Sequence, residues 1–194
     1  MKEIVRASLL EAEGVLSSML CNEELLGKIS EAGVLLANAL ISGAKIYSCG
    51  NGGSMCDAMH FAEELSGRYR KNRPALGAIA ISDVGHMTCV SNDYGYEFVF
   101  SRFIEGMGRP GDVLLAISTS GTSVSILNAI TQAKSKRMSV IGLHGREGSA
   151  LSQIVDIDIC TPGGRFADRV QECHIKIIHI LIEIVERNIF PENY

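Results

Sequence analysis

His60 and Glu64 stand four residues apart in Asp57-Ala58-Met59-His60-Phe61-Ala62-Glu63-Glu64-Leu65, a stretch with helical patterning. On a helix that spacing stacks two side chains on one face, aimed at the same place. An imidazole beside a carboxylate is equipped for proton transfer, and both groups are zinc ligands. A His/Glu pair on a helix is more often an ordinary surface contact, so the preceding loop matters. Gly50-Asn51-Gly52-Gly53-Ser54 has three glycines in four positions, costly in chain entropy unless the backbone turns tightly or meets a ligand. No Lys follows, so it is not a P-loop, and its spacing is not the GxGxxG of dinucleotide folds. A second loop, Ser118-Thr119-Ser120-Gly121-Thr122-Ser123, offers five hydroxyls in six positions. Hydroxyls donate to phosphate oxygens without adding charge, and Gly121 lets the backbone come close. The plainer alternative is a Ser/Thr-rich helix cap. Further on, Gln171, His174 and His179 lie among Ile175, Ile177, Ile178, Ile180 and Ile182. A His in so apolar a helix is either a satisfied core residue or a functional one.

These groups need elements to hold them. Two helices are expected between about residues 3 and 42, with Val5, Leu9, Leu16 and Leu20 on one face of the first and Leu25, Ile29, Leu36 and Leu40 on one face of the second. Asn22 is placed to cap the second. The period then changes to short apolar runs, read as strands: 45–49, 78–82, 112–117, 139–143 and 155–159. Helices are expected after the glycine loop to about Ser66, after the Ser/Thr loop to about Lys136, and from about Arg169 to Asn188. Strands alternating with helices predict an α/β three-layer sandwich around a five-stranded parallel sheet. Ligand loops after the first and third strands suit a flavodoxin-like order, with the ligand at the carboxyl ends of the strands. Both loops then open helices, whose free N–H groups and dipole favour an anion.

Composition limits the alternatives. The chain has 194 residues and a net charge of −4, with 46% hydrophobic residues. That supports a full-sized core in one domain, 1–194. A mildly acidic chain without a basic run argues against a nucleic-acid binder. No run reaches the ~18 apolar residues of a membrane span. Met1-Lys2-Glu3-Ile4-Val5-Arg6 lacks the apolar centre of a signal peptide. The six cysteines fit neither a zinc ribbon nor a disulfide scaffold. Reduced thiols in a cytoplasmic protein are expected.

Taken together, the two loops resemble those of the sugar isomerase (SIS) fold. Asp57 to Leu65, Ala80-Ile81-Ser82-Asp83, Gly111 to Leu115 and Ala167-Asp168-Arg169-Val170-Gln171-Glu172 through His179-Ile180-Leu181 are similar to the phosphoheptose isomerase family. The similarity spans nearly the whole chain, including the N-terminal helices. It implies aldose–ketose isomerisation of sedoheptulose 7-phosphate through an enediol, feeding bacterial surface-polysaccharide precursors. It implies one zinc per subunit held by His60, Glu64, Gln171 and His179, with Glu64 as the proton-transferring base and His179 as the acid. Substrate contacts are expected at Asn51, Gly52, Gly53, Ser54, Glu64, Arg68, Asn92, Asp93, Ser118, Thr119, Ser120, Ser123, Asp168 and Gln171. On residue chemistry alone, Asn92-Asp93 reads equally as an Asx turn in a loop. Arg68 reads more readily as a solvated surface cation. Asp168 reads as a helix cap, an orienter of His179, or both. A homotetramer is also implied. Gln171 and His179 are eight residues apart, about 12 Å along a helix at ~1.5 Å per residue. One metal joins them only at full reach or across subunits, so the site is expected at a subunit interface. The competing class is a non-catalytic SIS module that binds a phosphosugar or a protein; carrying both Glu64 and His179 argues against it.

Overall fold

The computed structural model describes residues 1–163 and 166–194. In chain order the elements are α1 (Lys2–Leu20), α2 (Glu23–Ile41), β1 (Ile46–Gly50), α3 (Gly53–Ser66), β2 (Ala78–Ala80), α4 (Val84–Asp93), α5 (Val99–Met107), β3 (Val113–Ser118), α6 (Val124–Ser135), β4 (Ser139–His144), β5 (Ile157–Cys160) and α7 (Ala167–Ile189). The five strands form one sheet in the order β2-β1-β3-β4-β5, every neighbouring pair parallel. This is the flavodoxin-like order, and its switch point falls between β1 and β3. Gly50 at the end of β1 pairs with Ile117 near the end of β3, so the loops that follow leave the same edge of the sheet side by side.

Successive strand residues serve opposite layers, as the two-residue period of a strand requires. Val113, Leu115 and Ile117 pack with Ile29 and Leu36 of α2, Phe61 and Leu65 of α3, and Ile177, Ile178 and Leu181 of α7. Leu114 and Ala116 pack on the other side with Val90 of α4, Phe100 and Ile104 of α5, and Ile126 and Ile130 of α6. A strand covered on both faces shows no alternation of polarity, and β3 is buried at all six positions.

Asn22 caps α2, its Oδ1 accepting from the Leu25 amide at 3.0 Å. α1 is different. Of its residues only Met19 is buried, and Val5, Leu9, Leu16 and Leu20, the expected apolar face, are all exposed in the single chain. No helix among the described residues is long and apolar enough to cross a membrane.

Candidate functional site

The two ligand loops are tied to each other. Asn51 donates from Nδ2 to Ser125 Oγ at 3.0 Å, and its Oδ1 accepts from Tyr96 Oη at 2.7 Å. The Asn51 amide thus spans from the glycine loop to the first turn of α6. Within the Ser/Thr loop, Ser118 donates to Ser123 Oγ at 3.2 Å, and Ser120 Oγ accepts from the Thr122 amide at 3.3 Å and the Thr122 hydroxyl at 3.1 Å. Ser123 occupies the N-cap position of α6 but makes no side-chain cap bond, so the hydroxyl row is not explained as a helix cap. Ser54 and Ser118 are buried, whereas Ser120 and Thr122 are exposed. Ser54 opens α3, and the α3 and α6 N-termini both leave the carboxyl edge of the sheet, where their partial positive charge and free amides suit an anion.

α3 and α7 run side by side in the same direction. The Gln171 amide lies against Gly53, where a β-carbon would fall 2.6 Å from Gln171 Nε2. About two turns further on, His60 Nε2 and His179 Nε2 are 3.0 Å apart, and Glu64 Oε1 is 3.5 Å from His60 Nε2. One donor atom from each of the three residues falls within 4.8 Å of the others. Two imidazole nitrogens at that distance either share a proton or turn both lone pairs toward a common cation. Burial, and then the neighbouring His60 ring, hold His179 below its ordinary imidazole range, with Glu64 opposing. That keeps the ring neutral, the form that ligates metals. A tetrahedral zinc with bonds of ~2.0–2.1 Å to nitrogen and oxygen requires ~3.3 Å between ligand atoms; the observed N–N distance of 3.0 Å and N–O distance of 3.5 Å bracket it. The donor set and its spacing fit a zinc ion. Tyr69 stacks near the His179 ring at 5.7 Å between centroids, closing one side.

Comparison with known proteins gives the family. Residues 12–145 match the family model described as SIS domain. Over 184 residues, 95% of each chain, the sequence is 55% identical to a phosphoheptose isomerase of Haemophilus ducreyi. The chain belongs to the phosphoheptose isomerase family. Two solved structures that bear the family's name have the same fold. The one from Neisseria gonorrhoeae superposes with a TM-score of 0.88 at 35% identity, covering 95% of this chain and 98% of its own. The one from Francisella tularensis gives 0.85 at 31% identity, covering 96% and 97%.

Against the family's expected residues, the single chain of this isomerase-family protein brings together His60, Glu64 and His179 without a partner subunit. Gln171 is left at the loop end of α7, about 10–12 Å from His179 along the helix axis. Asn92 and Asp93 are not in a loop; they end α4, exposed, with Asn92 Nδ2 donating to Asp93 Oδ1 at 2.8 Å. Asp168 does not cap α7, whose N-cap is Phe166. It is the second helical residue, and its Oδ1 accepts from the adjacent Arg169 amide. Eleven residues, about 16 Å of helix, separate it from His179, too far to orient that ring within one chain. Arg68 is exposed just past the end of α3.

Two buried polar groupings escaped the sequence reading. Asp57, one turn before His60, buries Oδ2 without a partner, and burial lifts its carboxyl to about 6. Behind the Ser/Thr loop a closed ring of hydrogen bonds forms. His144 Nε2 meets Asp158 Oδ1 at 2.5 Å, Ser152 Oγ donates to Asp158 Oδ2 at 2.7 Å, the Ser152 amide donates to Ser149 Oγ at 3.3 Å, and Ser149 Oγ meets His144 Nδ1 at 3.4 Å. The pattern assigns His144 the tautomer protonated on Nε2. Ser149 of this ring presses on Gly121. The ring closes between β4, β5 and the turn between them; only the apolar runs of those strands signalled it in the sequence.

Proposed function

We propose that this chain is an aldose–ketose isomerase that converts sedoheptulose 7-phosphate to D-glycero-D-manno-heptose 7-phosphate, a step supplying heptose for bacterial surface polysaccharide. The observation that carries the reading is the convergence of His60, Glu64 and His179 within 4.8 Å on helices whose other ends meet at the glycine loop.

The phosphate is gripped by the Ser118–Ser123 hydroxyls and by the amides that open α3 and α6, which fixes one end of a flexible open-chain sugar and converts remote binding into orientation. At the carbonyl end, the Glu64 carboxylate removes a proton from C1, next to the C2 ketone. Electrons shift to the carbonyl oxygen, which takes the ring proton of neutral His179, giving an enediol. The ring then recovers a proton from the C1 hydroxyl while Glu64 returns its own proton to C2, which completes the aldose. Tyr69 limits water at the His179 face. Zinc, held by His60, Glu64 and His179, would polarise the carbonyl oxygen as a Lewis acid. A carboxylate that also ligates a cation is a weaker base, so Glu64 serves best when its second oxygen faces the sugar. Gln171, beside Gly53, is placed to bond sugar hydroxyls near the phosphate end. We further infer a cytoplasmic homo-oligomer, a tetramer as the family resemblance implies, with the bare apolar face of α1 covered by neighbouring copies.

The test is product analysis by NMR or mass spectrometry on five-, six- and seven-carbon ketose phosphates. Turnover of the seven-carbon substrate with the others slower by at least an order of magnitude is expected. No turnover of any, or preference for a shorter chain, would overturn the assignment.

A further inference from the structure

Arg73 lies outside every motif named above, in the connection between α3 and β2. Its guanidinium is fully buried and meets Glu186 Oε1 through Nε at 2.6 Å. Nη2 donates to the Glu64 carbonyl at 2.7 Å. Nη1 donates to the Leu65 carbonyl at 2.7 Å, with the Gly67 and Pro74 carbonyls at 3.2 Å. The Glu64 and Leu65 carbonyls end α3, where a helix leaves acceptors without partners of its own. Glu186, 1% exposed, belongs to α7 and accepts from Tyr194 Oη at 2.8 Å on its other oxygen. It follows His179 by seven residues, two turns on the same face. One side chain therefore joins both helices of the triad, α3 through the backbone of Glu64 itself and α7 two turns past His179. An apolar pair of equal volume would fill the same space at similar or better stability, because burying two charges is costly. It would not hold the Glu64 carbonyl.

We propose that the Arg73–Glu186 ion pair is a positioning strut for the His60–Glu64–His179 triad. It sets the spacing of α3 and α7 where the donor atoms converge. The role rests on the reading of that triad as the reaction centre. Arg70 and Glu183, 2.9 Å apart and one turn nearer His179, make a parallel link at the surface, where solvent weakens it.

The experiment compares the double variant Arg73→Met/Glu186→Leu with Val140→Ala, a core truncation on the opposite face of the sheet. Thermal midpoint, kcat, KM and Co(II) affinity of chelator-treated protein, read from visible absorbance, are measured for each. The double variant is expected to fold, to lose about 10- to 100-fold in both kcat and Co(II) affinity, and to keep KM within about 3-fold, the range seen when groups that orient metal ligands are removed. The phosphate loops lie at the far end of α3 and are left intact. Val140→Ala is expected to lower the midpoint with kcat and Co(II) affinity unchanged. A double variant with wild-type kcat and Co(II) affinity overturns the proposal. If it fails to fold, Arg73→Lys decides, since it keeps a cation for Glu186 but loses the Nη2 donor to the Glu64 carbonyl. A fall in kcat and Co(II) affinity beyond that of Val140→Ala supports the strut, and wild-type values of both overturn it. Wild-type protein that binds Co(II) but isomerises nothing sinks the proposed function, and the strut is then judged by Co(II) affinity alone.

Discussion

Gly121→Ala is expected to damage the Ser/Thr loop in a way that separates backbone strain from crowding. Gly121 and Gly148 share a φ of +63°. At Gly148 an added β-carbon meets nothing within 4 Å, whereas at Gly121 it falls 2.5 Å from Ser149 Cβ and closer still to Ser149 Oγ. Ser149 cannot easily yield, because its hydroxyl is held by His144 and by the Ser152 amide. Left-handed strain for alanine is about 1–2 kcal/mol and applies to both positions. Overpacking adds about 1–3 kcal/mol at Gly121 alone. The reduced freedom of the unfolded chain returns roughly 0.4–1 kcal/mol in each variant. Gly148→Ala should therefore cost about 1 kcal/mol and Gly121→Ala about 2–4. At ~2–4 °C per kcal/mol for a chain of this size, thermal melts should differ by several degrees. Because the displaced loop is the proposed phosphate grip, Gly121→Ala should also raise KM, and Gly148→Ala should not. Equal melting points for the two alanines would refute the crowding argument, and an unchanged KM for Gly121→Ala would refute the loop's role.

Glu64→Gln and His179→Gln should each reduce kcat by about 10²–10⁴-fold, the usual worth of a positioned base or acid, with circular dichroism and melting point retained; near-wild-type rates in either would remove that residue from the mechanism. Dialysis against a chelator should abolish turnover and zinc should restore it, with metal content measured on the same samples; full activity without bound metal would exclude the ion. His174 is fully buried, and burial pushes its pKa down to about 4 against an opposing contact with the His144 backbone. The unfolded chain, with the ordinary value near 6.5, then binds the extra proton first, so stability is full above pH 6.5 and falls by up to about 3 kcal/mol as pH drops toward 4. Asp57, raised to about 6, favours the folded state on acidification and offsets part of this. Urea denaturation at pH 7 and 5 should show His174→Phe losing less stability on acidification than wild type; an identical loss would contradict the assignment.

The legible parts of the fold were those whose signals are local. β3 and the centre of β4 are buried on both faces and read as apolar runs, the two loops announce themselves by glycine and hydroxyl content, and Asn22 precedes the helix it caps. The stretch from Asp83 to Met107 was harder. α4 buries only Val90, so it has almost no apolar stripe, and Asn92-Asp93 was read as a loop. Asp83, whose Oδ1 accepts from the His86 amide at 2.7 Å, was the available sign of that helix start. His60 and Glu64 were found from their four-residue spacing. His179 was reached through the family resemblance and not through spacing, because only the pairing of α3 with α7 brings residues 119 positions apart to 3.0 Å. The Arg73–Glu186 pair, 113 positions apart, left no trace in either segment.

The parallel run of α3 and α7 also fixes a length. On the proposed function, Gly53 beside Gln171 lies at the phosphate end and His60 beside His179 at the carbonyl end. Seven residues of α3 and eight of α7 separate those marks, about 10–12 Å. On the proposed reading the two helices act as a gauge on which an extended sugar phosphate is measured. A substrate one carbon shorter reaches a little over 1 Å less far, given C–C bonds of ~1.5 Å. A shortfall of about 1 Å at the reacting carbon is enough to cost roughly 100-fold in rate. Chain length is then discriminated by the rigid spacing of backbone elements, and no side chain need touch the carbon that a shorter sugar lacks.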